Sequence, residues 1–163
     1  MMTLTTRTHT VIDSPLGPLT VVADGGVLSG LYLPGHVRGP GPESLGDRDD
    51  DGFDEVTKQL AEYFAGTRTA FSVPVAPAGT PFQQSVWREL MSIPYGQTRS
   101  YGQLAHALGG PHLTRAVGAA NGRNPISIVV PCHRVVGSDG SLTGYAGGLP
   151  RKRFLLDLEA RPR

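Results

Sequence analysis

The chain has 163 residues, 39% of them hydrophobic and 18% charged, which suits one compact domain or two small lobes sharing a core. It has no apolar run of about 18 residues to cross a membrane, and its single cysteine excludes an internal disulfide or a four-cysteine metal site. The formal net charge is +1, but the two halves of the chain differ. Residues 1–80 carry 5 Lys/Arg and 10 Asp/Glu, whereas residues 81–163 carry 10 Lys/Arg and 4 Asp/Glu. Only the second half is therefore expected to meet a polyanion.

The first third of the chain is typical of a small antiparallel sheet. Runs of β-favouring residues, separated by breaks rich in Gly, Pro and Asp, lie at 10–12, 19–22 and 27–33. Residues 34–52 contain many Gly, Pro and Asp residues and few large apolar ones, which predicts a mobile loop. The spacing of one helix face then recurs at Val56, Leu60, Tyr63 and Phe64. Residues 1–10 lack the apolar segment of a secretory signal.

Two capping boxes begin helices in the second half. Thr80 with Gln83 predicts a helix to about Ile93, with inward residues Phe82, Val86, Trp87, Leu90 and Met91. Ser100 with Gln103 predicts a second, shorter helix, and residues 109–111 break it. A third helix, from about 113 to 121, carries mostly small side chains, and this pair suits a helix-turn-helix.

The predicted fold is therefore α+β. A small N-terminal antiparallel-sheet lobe (residues 1–76) precedes a mostly helical C-terminal lobe (residues 80–163) with a helix-turn-helix. Spacing alone leaves open whether this helix pair binds DNA or only packs within the protein.

The cysteine lies in an unusual sequence context. An apolar run over 126–130 predicts a buried strand or extended segment that delivers Cys132 to the interior. A lone cysteine is most often an inert buried residue, but His133 and Arg134 adjoin this one. Successive residues of an extended chain point to opposite sides, so a water is needed to connect His133 with the thiol. A carboxylate such as Glu159 could hold the other ring nitrogen.

The string from Asn124 to Val135, Asn-Pro-Ile-Ser-Ile-Val-Val-Pro-Cys-His-Arg-Val, is followed by Gly-Tyr-Ala-Gly-Gly at 144–148. These two motifs resemble the signature of the O6-alkylguanine-DNA alkyltransferases, the methylated-DNA–protein-cysteine methyltransferases, and are most similar to their stand-alone bacterial form. The resemblance runs without a gap from about 82 to 159, with a looser likeness over the N-terminal lobe.

The resemblance implies a role for individual residues. Cys132 would accept the alkyl group, His133 would act as base through a water, and Glu159 would orient His133. Asn124 would tie the recognition helix to the active-site segment, and Tyr101 would donate a hydrogen bond or a proton to guanine. Arg115 would enter the base stack in place of the extruded nucleotide. The remaining DNA contacts are expected from Thr114, Ala116, Ala119, Gly122 and Arg123.

The resemblance also implies a substrate pocket and a mode of action. The pocket residues are expected to be Val135, Tyr145, Ala146, Gly147 and Lys152. Ala146 departs from relatives that carry a serine there, so a hydroxyl contact to guanine is lost. The partner would be double-stranded DNA carrying O6-alkylguanine or O4-alkylthymine, repaired by base flipping with one irreversible transfer per protein. We expect a cytoplasmic monomer without cofactor or membrane association. We also expect no metal, because residues 1–80 hold no cysteine and just two histidines.

Three other functions compete with this interpretation. A cysteine hydrolase would use the same residue types and turn over, although adjacent Cys and His on an extended chain argue against it. A non-catalytic alkyltransferase-like protein would lack the cysteine. A helix-turn-helix regulator would bind one operator tightly, whereas a repair protein should bind mainly through phosphates.

Overall fold

The computed structural model describes residues 6–36 and 39–162. Residues 1–5, the first half of the segment predicted to lack a secretory signal, lie outside the described residues, as does residue 163. Val37 and Arg38, which belong to the predicted loop, lie outside them as well.

The N-terminal sheet has the strand order β3-β2-β1-β4. Its strands are β1 (Arg7–Ile12), β2 (Leu19–Asp24), β3 (Val27–Tyr32) and β4 (Asp47–Arg48). The first three strands pair antiparallel, as predicted. Gly25 and Gly26 form the two-residue hairpin turn between β2 and β3, and both have positive φ, which glycine adopts without strain.

The segment predicted to be a mobile loop contains β4, which pairs parallel to β1 and so adds one parallel pairing to the predicted antiparallel sheet. Polar contacts hold this strand. The hydroxyl of Thr10 donates to Asp50 at 2.7 Å, and the backbone N–H of Asp49 donates to the carbonyl of His9 at 2.9 Å. Because polar contacts hold β4, no apolar periodicity marks it in the sequence.

Helix α1 (Asp54–Phe64) contributes the buried residues Val56, Leu60 and Tyr63 to the hydrophobic core, as its spacing predicted. In the second half the structure has α2 (Pro81–Met91), β5 (Arg99–Ser100), α3 (Tyr101–Leu108), α4 (Thr114–Gly122), β6 (Val135–Val136) and α5 (Leu149–Ala160). The α+β class is therefore confirmed.

Both predicted capping boxes are present, at Thr80 and at Ser100. The prediction that Met91 faces inward is wrong, because α2 ends there and the side chain is 48% exposed. None of the helices in the described ranges is both long enough and apolar enough to span a membrane.

Two contacts position the segments that matter for the site. The indole N–H of Trp87 on α2 donates to the carbonyl of Ala120 at 2.9 Å and thereby holds α4. The edge of β3 pairs with the segment before the cysteine, with Leu31 and Ile126 as partners in a parallel bridge. The N-terminal sheet thus extends, by one bridge, into the C-terminal half.

Candidate active site

The segment before Cys132 is not the strand or extended run that its apolar residues predicted. After the bridge at Ile126, the N–H of Val129 bonds to the carbonyl of Ser127 at 2.8 Å, across Ile128 with φ of 73°. The N–H of Cys132 bonds to the carbonyl of Val130 at 2.8 Å. These are two three-residue turns, and the first has the strained, positive-φ form. A β-branched residue there costs on the order of 1–3 kcal/mol, so the surrounding packing must impose this path.

Cys132 and His133 lie in a short 3-10 helix, Cys132–Arg134, and not in an extended chain. Successive side chains of a 3-10 helix diverge by roughly 120°. The two side chains therefore still point in different directions, although for a different reason from the one expected. Both residues are buried.

Asn124 fixes this turn from the end of α4. Its Nδ2 donates to the carbonyl of Val130 at 2.8 Å, and its Oδ1 accepts from the N–H of Ile126 at 3.0 Å. The residue is buried. An amide is needed at this position, since one side chain has to supply both a donor and an acceptor.

The thiol of Cys132 is buried. Burial raises the pKa of Cys132, while the side-chain amide of Asn124 and the charge of Lys152 act in the opposite direction. The thiol is therefore protonated at neutral pH and needs a base before it can act as a nucleophile.

His133 can serve as that base. Its Nε2 lies 2.7 Å from Oε2 of Glu159 on α5, and both side chains are buried. The carboxylate fixes the ring proton on Nε2, which leaves Nδ1 as an acceptor, and Nδ1 has no hydrogen-bond partner within the described residues. Burial lowers the pKa of His133 against the opposing effect of Glu159, so the ring is neutral at rest.

Glu159 receives more donors than the sequence indicated. Arg134 donates to both of its oxygens, at 2.8 and 3.0 Å, and the hydroxyl of Tyr63 on α1 donates to Oε2 at 2.5 Å. Burial would raise the pKa of Glu159, but the hydrogen bonds from His133 and Arg134 outweigh it and leave the pKa lowered. Sequence reasoning identified Tyr63 only as a core residue, since nothing in the pattern links positions 96 residues apart.

Helix α4 presents a continuous exposed face beside this site. The exposed residues are Arg115, Ala116, Ala119, Gly122 and Arg123, with Thr114 half-buried. The opposite face, Val117, Ala120 and Asn121, is buried. With such small side chains on the outer face, the backbone of α4 can approach a partner surface closely, and the two arginines supply positive charge.

A cavity of about 610 Å³ lies between α4 and the loop before α5. Its walls include six predicted site residues: Tyr101, Thr114, Arg115, Gly122, Tyr145 and Ala146. The other four wall residues, Gly118, Asn121, Thr143 and Gly144, were not predicted to belong to the site. The Thr143 hydroxyl donates to that of Tyr101 at 2.9 Å. Asn121 lies between cavity and nucleophile, since its Nδ2 is 3.5 Å from the carbonyl of Cys132.

The structure does not place the remaining predicted pocket residues, Val135, Gly147 and Lys152, on this wall. All three are buried. The ammonium of Lys152 donates to the carbonyls of Val135 and Thr143, at 2.6 and 3.0 Å, and so supports the wall from within. Burial lowers the pKa of Lys152 to about 8. Across the described ranges, no three His, Cys, Asp or Glu side chains are grouped so that they could hold a metal ion.

Comparisons with known proteins identify the family of this chain. Residues 8–77 match the family described as 6-O-methylguanine DNA methyltransferase, ribonuclease-like domain, and residues 81–161 match 6-O-methylguanine DNA methyltransferase, DNA binding domain. A Mycobacterium tuberculosis methylated-DNA–protein-cysteine methyltransferase is 50% identical over 93% of this chain and 91% of its own. The protein of that name from Methanosarcina acetivorans is 47% identical over 93% and 97% of the two chains. The crystal structure of Mycobacterium tuberculosis OGT in complex with DNA has a TM-score of 0.89 at 50% identity, covering 93% of this chain and 92% of that one.

Proposed function

The chain belongs to the 6-O-methylguanine DNA methyltransferase family, and we propose that it repairs DNA by moving an alkyl group from O6-alkylguanine to its own Cys132. The observation that supports this most directly is the buried array of Cys132, His133 and Glu159 beside an exposed helix and an open cavity. The array supplies a nucleophile and its base, and the helix supplies a surface for DNA.

In the proposed reaction, a bond forms between Sγ of Cys132 and the alkyl carbon as the bond from that carbon to guanine O6 breaks. The thiol proton passes through a water to Nδ1 of His133. The electron pair of the broken bond stays on guanine as an anion. The proton held by the His133 imidazolium then returns through water to guanine, so that in total the alkyl group has moved to sulfur and one proton to guanine. Donors at this charge lower the barrier, and we assign that role to Tyr101 and to backbone N–H groups of residues 145–147.

The product is a thioether, which has no electrophilic carbonyl that water could attack. We therefore propose that each molecule acts once and is inactivated by its own reaction. O4-alkylthymine is proposed as a second substrate, because it offers the same alkyl–oxygen bond to the thiol.

A base within a duplex does not expose its O6 substituent to a buried thiol, so we propose that the nucleotide is flipped into the cavity, at a cost of a few kcal/mol. Arg115, which is exposed on α4 and lies at the cavity rim, would fill the vacated stack. The helix pair α3 and α4 would act as a helix-turn-helix, with Thr114, Ala116, Ala119, Gly122 and Arg123 against the backbone and groove.

We also propose that the two lobes have different roles. Residues 1–76 form a mainly structural lobe, and residues 80–163 bind DNA and accept the alkyl group. One chain holds every residue of the proposed site, which supports a monomer. A nucleophilic thiol suits the reducing cytoplasm.

A single-turnover assay tests the proposal. The protein is mixed with a duplex carrying one radiolabelled O6-methylguanine, and the label on protein and on DNA is followed over time. We expect label to move to protein until one equivalent is bound, and Cys132→Ala to accept none while it still binds the duplex. Release of the label to water with repeated turnover would indicate a hydrolase instead.

A further inference from the structure

Tyr63 is a residue of the N-terminal lobe that reaches the centre of the active site. Its side chain is fully buried, and its hydroxyl donates to Oε2 of Glu159 at 2.5 Å. Nε2 of His133 lies 2.7 Å from the same oxygen. One carboxylate oxygen is therefore shared between the proposed base and a phenol from the other lobe.

We propose that Tyr63 is a positioning residue for alkyl transfer, which sets how strongly His133 holds the proton of Cys132 by sharing Oε2 of Glu159 with the imidazole. This inference rests on the proposed function and gives the N-terminal lobe a part in the chemistry. Tyr63 itself does not touch the substrate or the thiol.

The physical reason is competition for negative charge. A donor to a carboxylate withdraws charge from it, and hydrogen bonds to charged groups are stronger than those between neutral groups. When Tyr63 stops donating, Glu159 stabilises the imidazolium form of His133 more strongly. Arg134 still donates to both oxygens, at 2.8 and 3.0 Å, so the carboxylate keeps its orientation. The effect should therefore appear in the proton affinity of His133 more than in its placement.

Other groups also face the pair and set the baseline. The charges of Arg134 and Lys152 oppose the imidazolium, and Cys132 adjoins it. The phenol of Tyr145 lies within the electrostatic reach of Glu159. The ring of Tyr95 packs against Tyr63 with centroids 6.2 Å apart, beneath the guanidinium of Arg134. None of these groups changes when the hydroxyl of Tyr63 alone is removed.

A purely structural role is the competing explanation, since a buried tyrosine normally finds a partner for its hydroxyl. The ring of Tyr63 packs against Phe64 and Phe71, each with centroids 5.4 Å away. Loss of packing would lower stability and slow the transfer equally at every pH. A shift of the pH profile is the readout that separates the two roles.

The test measures the rate of methyl transfer from pH 5 to 9 in wild type and Tyr63→Phe, with affinity for the duplex measured in parallel. Transfer needs neutral His133, so the rate falls on the acid side as His133 becomes protonated. The acid limb is the part of the pH–rate profile in which the rate falls for this reason. We expect Tyr63→Phe to move the acid limb to higher pH by roughly 0.5 to 1 unit, so that transfer at a given pH on the limb is about 3- to 10-fold slower than in wild type. Phe64→Leu is the control, because it loosens the same helix without touching Glu159, and its limb should not move.

A second variant keeps the test decisive if Tyr63→Phe folds poorly. Fluorotyrosine at position 63 is nearly isosteric and a stronger donor, so it should move the limb to lower pH. Limbs that coincide in wild type, Tyr63→Phe and the fluorotyrosine protein would overturn the inference. Wild type that transfers no methyl at all would instead contradict the proposed function.

Discussion

Nδ2 of Asn124 donates to the carbonyl oxygen of Val130 at 2.8 Å, and this bond joins the end of α4 to the turn that precedes Cys132. The same side chain accepts from the N–H of Ile126 at 3.0 Å. Together with the 3.5 Å contact between Nδ2 of Asn121 and the carbonyl of Cys132, it connects α4 to the nucleophile. We propose that DNA contact and chemistry are coupled at Asn124.

Asn124→Asp should be strongly destabilising. It places a buried carboxylate oxygen against the carbonyl of Val130 and removes the donor at nearly constant volume. We expect the free energy of unfolding to fall by about 3 kcal/mol, as for a buried polar group that loses its partner and gains charge. Denaturant unfolding measures this. Asn121→Asp is the comparison, because Asn121 makes a 3.5 Å contact to the carbonyl of Cys132 and should lose less. Equal losses would contradict the role given to Asn124.

Glu159→Gln should lower the stability of the protein and make that stability less dependent on pH in the acidic range. Burial alone would raise the pKa of Glu159, but the hydrogen bonds from His133 and Arg134 leave it lowered. A lowered folded-state pKa gives stability that is complete above the unfolded value, near 4.5, and that is lost as pH falls further. Glu159→Gln leaves the buried Arg134 unpaired and should cost about 3 kcal/mol at pH 7.

Unfolding curves from pH 3 to 7 measure this effect. The difference between wild type and Glu159→Gln should shrink as the pH falls. A constant difference would show that Glu159 is not ionised through this network.

Lys152→Met tests the buried ammonium. The pKa of Lys152 is lowered by burial from 10.5 to about 8. The unfolded chain therefore binds more protons between these values, and this group adds stability as pH rises through the window. The stability of the protein relative to Lys152→Met should increase from pH 8 to 10, and both proteins carry Cys132→Ala, because the charge of Lys152 also acts on the thiol. A relative stability that stays flat would place the Lys152 ammonium in water.

Two arginines on the exposed side of α4 should affect DNA binding differently. Arg123→Ala should weaken binding to methylated and unmethylated duplexes alike and reduce the salt dependence by about one unit of slope, as for one phosphate contact. Arg115→Ala should leave affinity for unmethylated duplex nearly unchanged but slow transfer from a paired lesion. Transfer from a free O6-alkylguanine base should be unaffected by either change, and a loss there would contradict both assignments.

Much of the fold follows from local patterns. The hairpin strands, α1 and both capped helices were predicted, because alternation, one-face spacing and capping boxes are local features. The short strand β4 was missed, since Thr10 and the backbone of His9 hold it and no apolar pattern marks it. The extended segment before Cys132 was predicted wrongly. Its apolar run indicates burial, but the positive φ of Ile128 is imposed by tertiary contacts.

The candidate site was likewise predicted from the sequence only in part. The pairing of Glu159 with His133 was predicted from the resemblance, and the structure has the two side chains in contact. Tyr63, Thr143 and Asn121 carried no signal of their own, since each meets the site through distant parts of the chain. Lys152 was expected at the pocket wall but lies behind it, because its ammonium is taken up by two carbonyls.

Transfer of the alkyl group to Cys132 is tested most directly by intact-protein and peptide mass spectrometry after incubation with a duplex containing O6-methylguanine. The account predicts that each protein molecule gains one methyl group in place of one proton, that the modified peptide maps to Cys132, and that the modification survives prolonged incubation. Restored guanine in the DNA with unmodified protein, or a methyl group on any other residue, would contradict it.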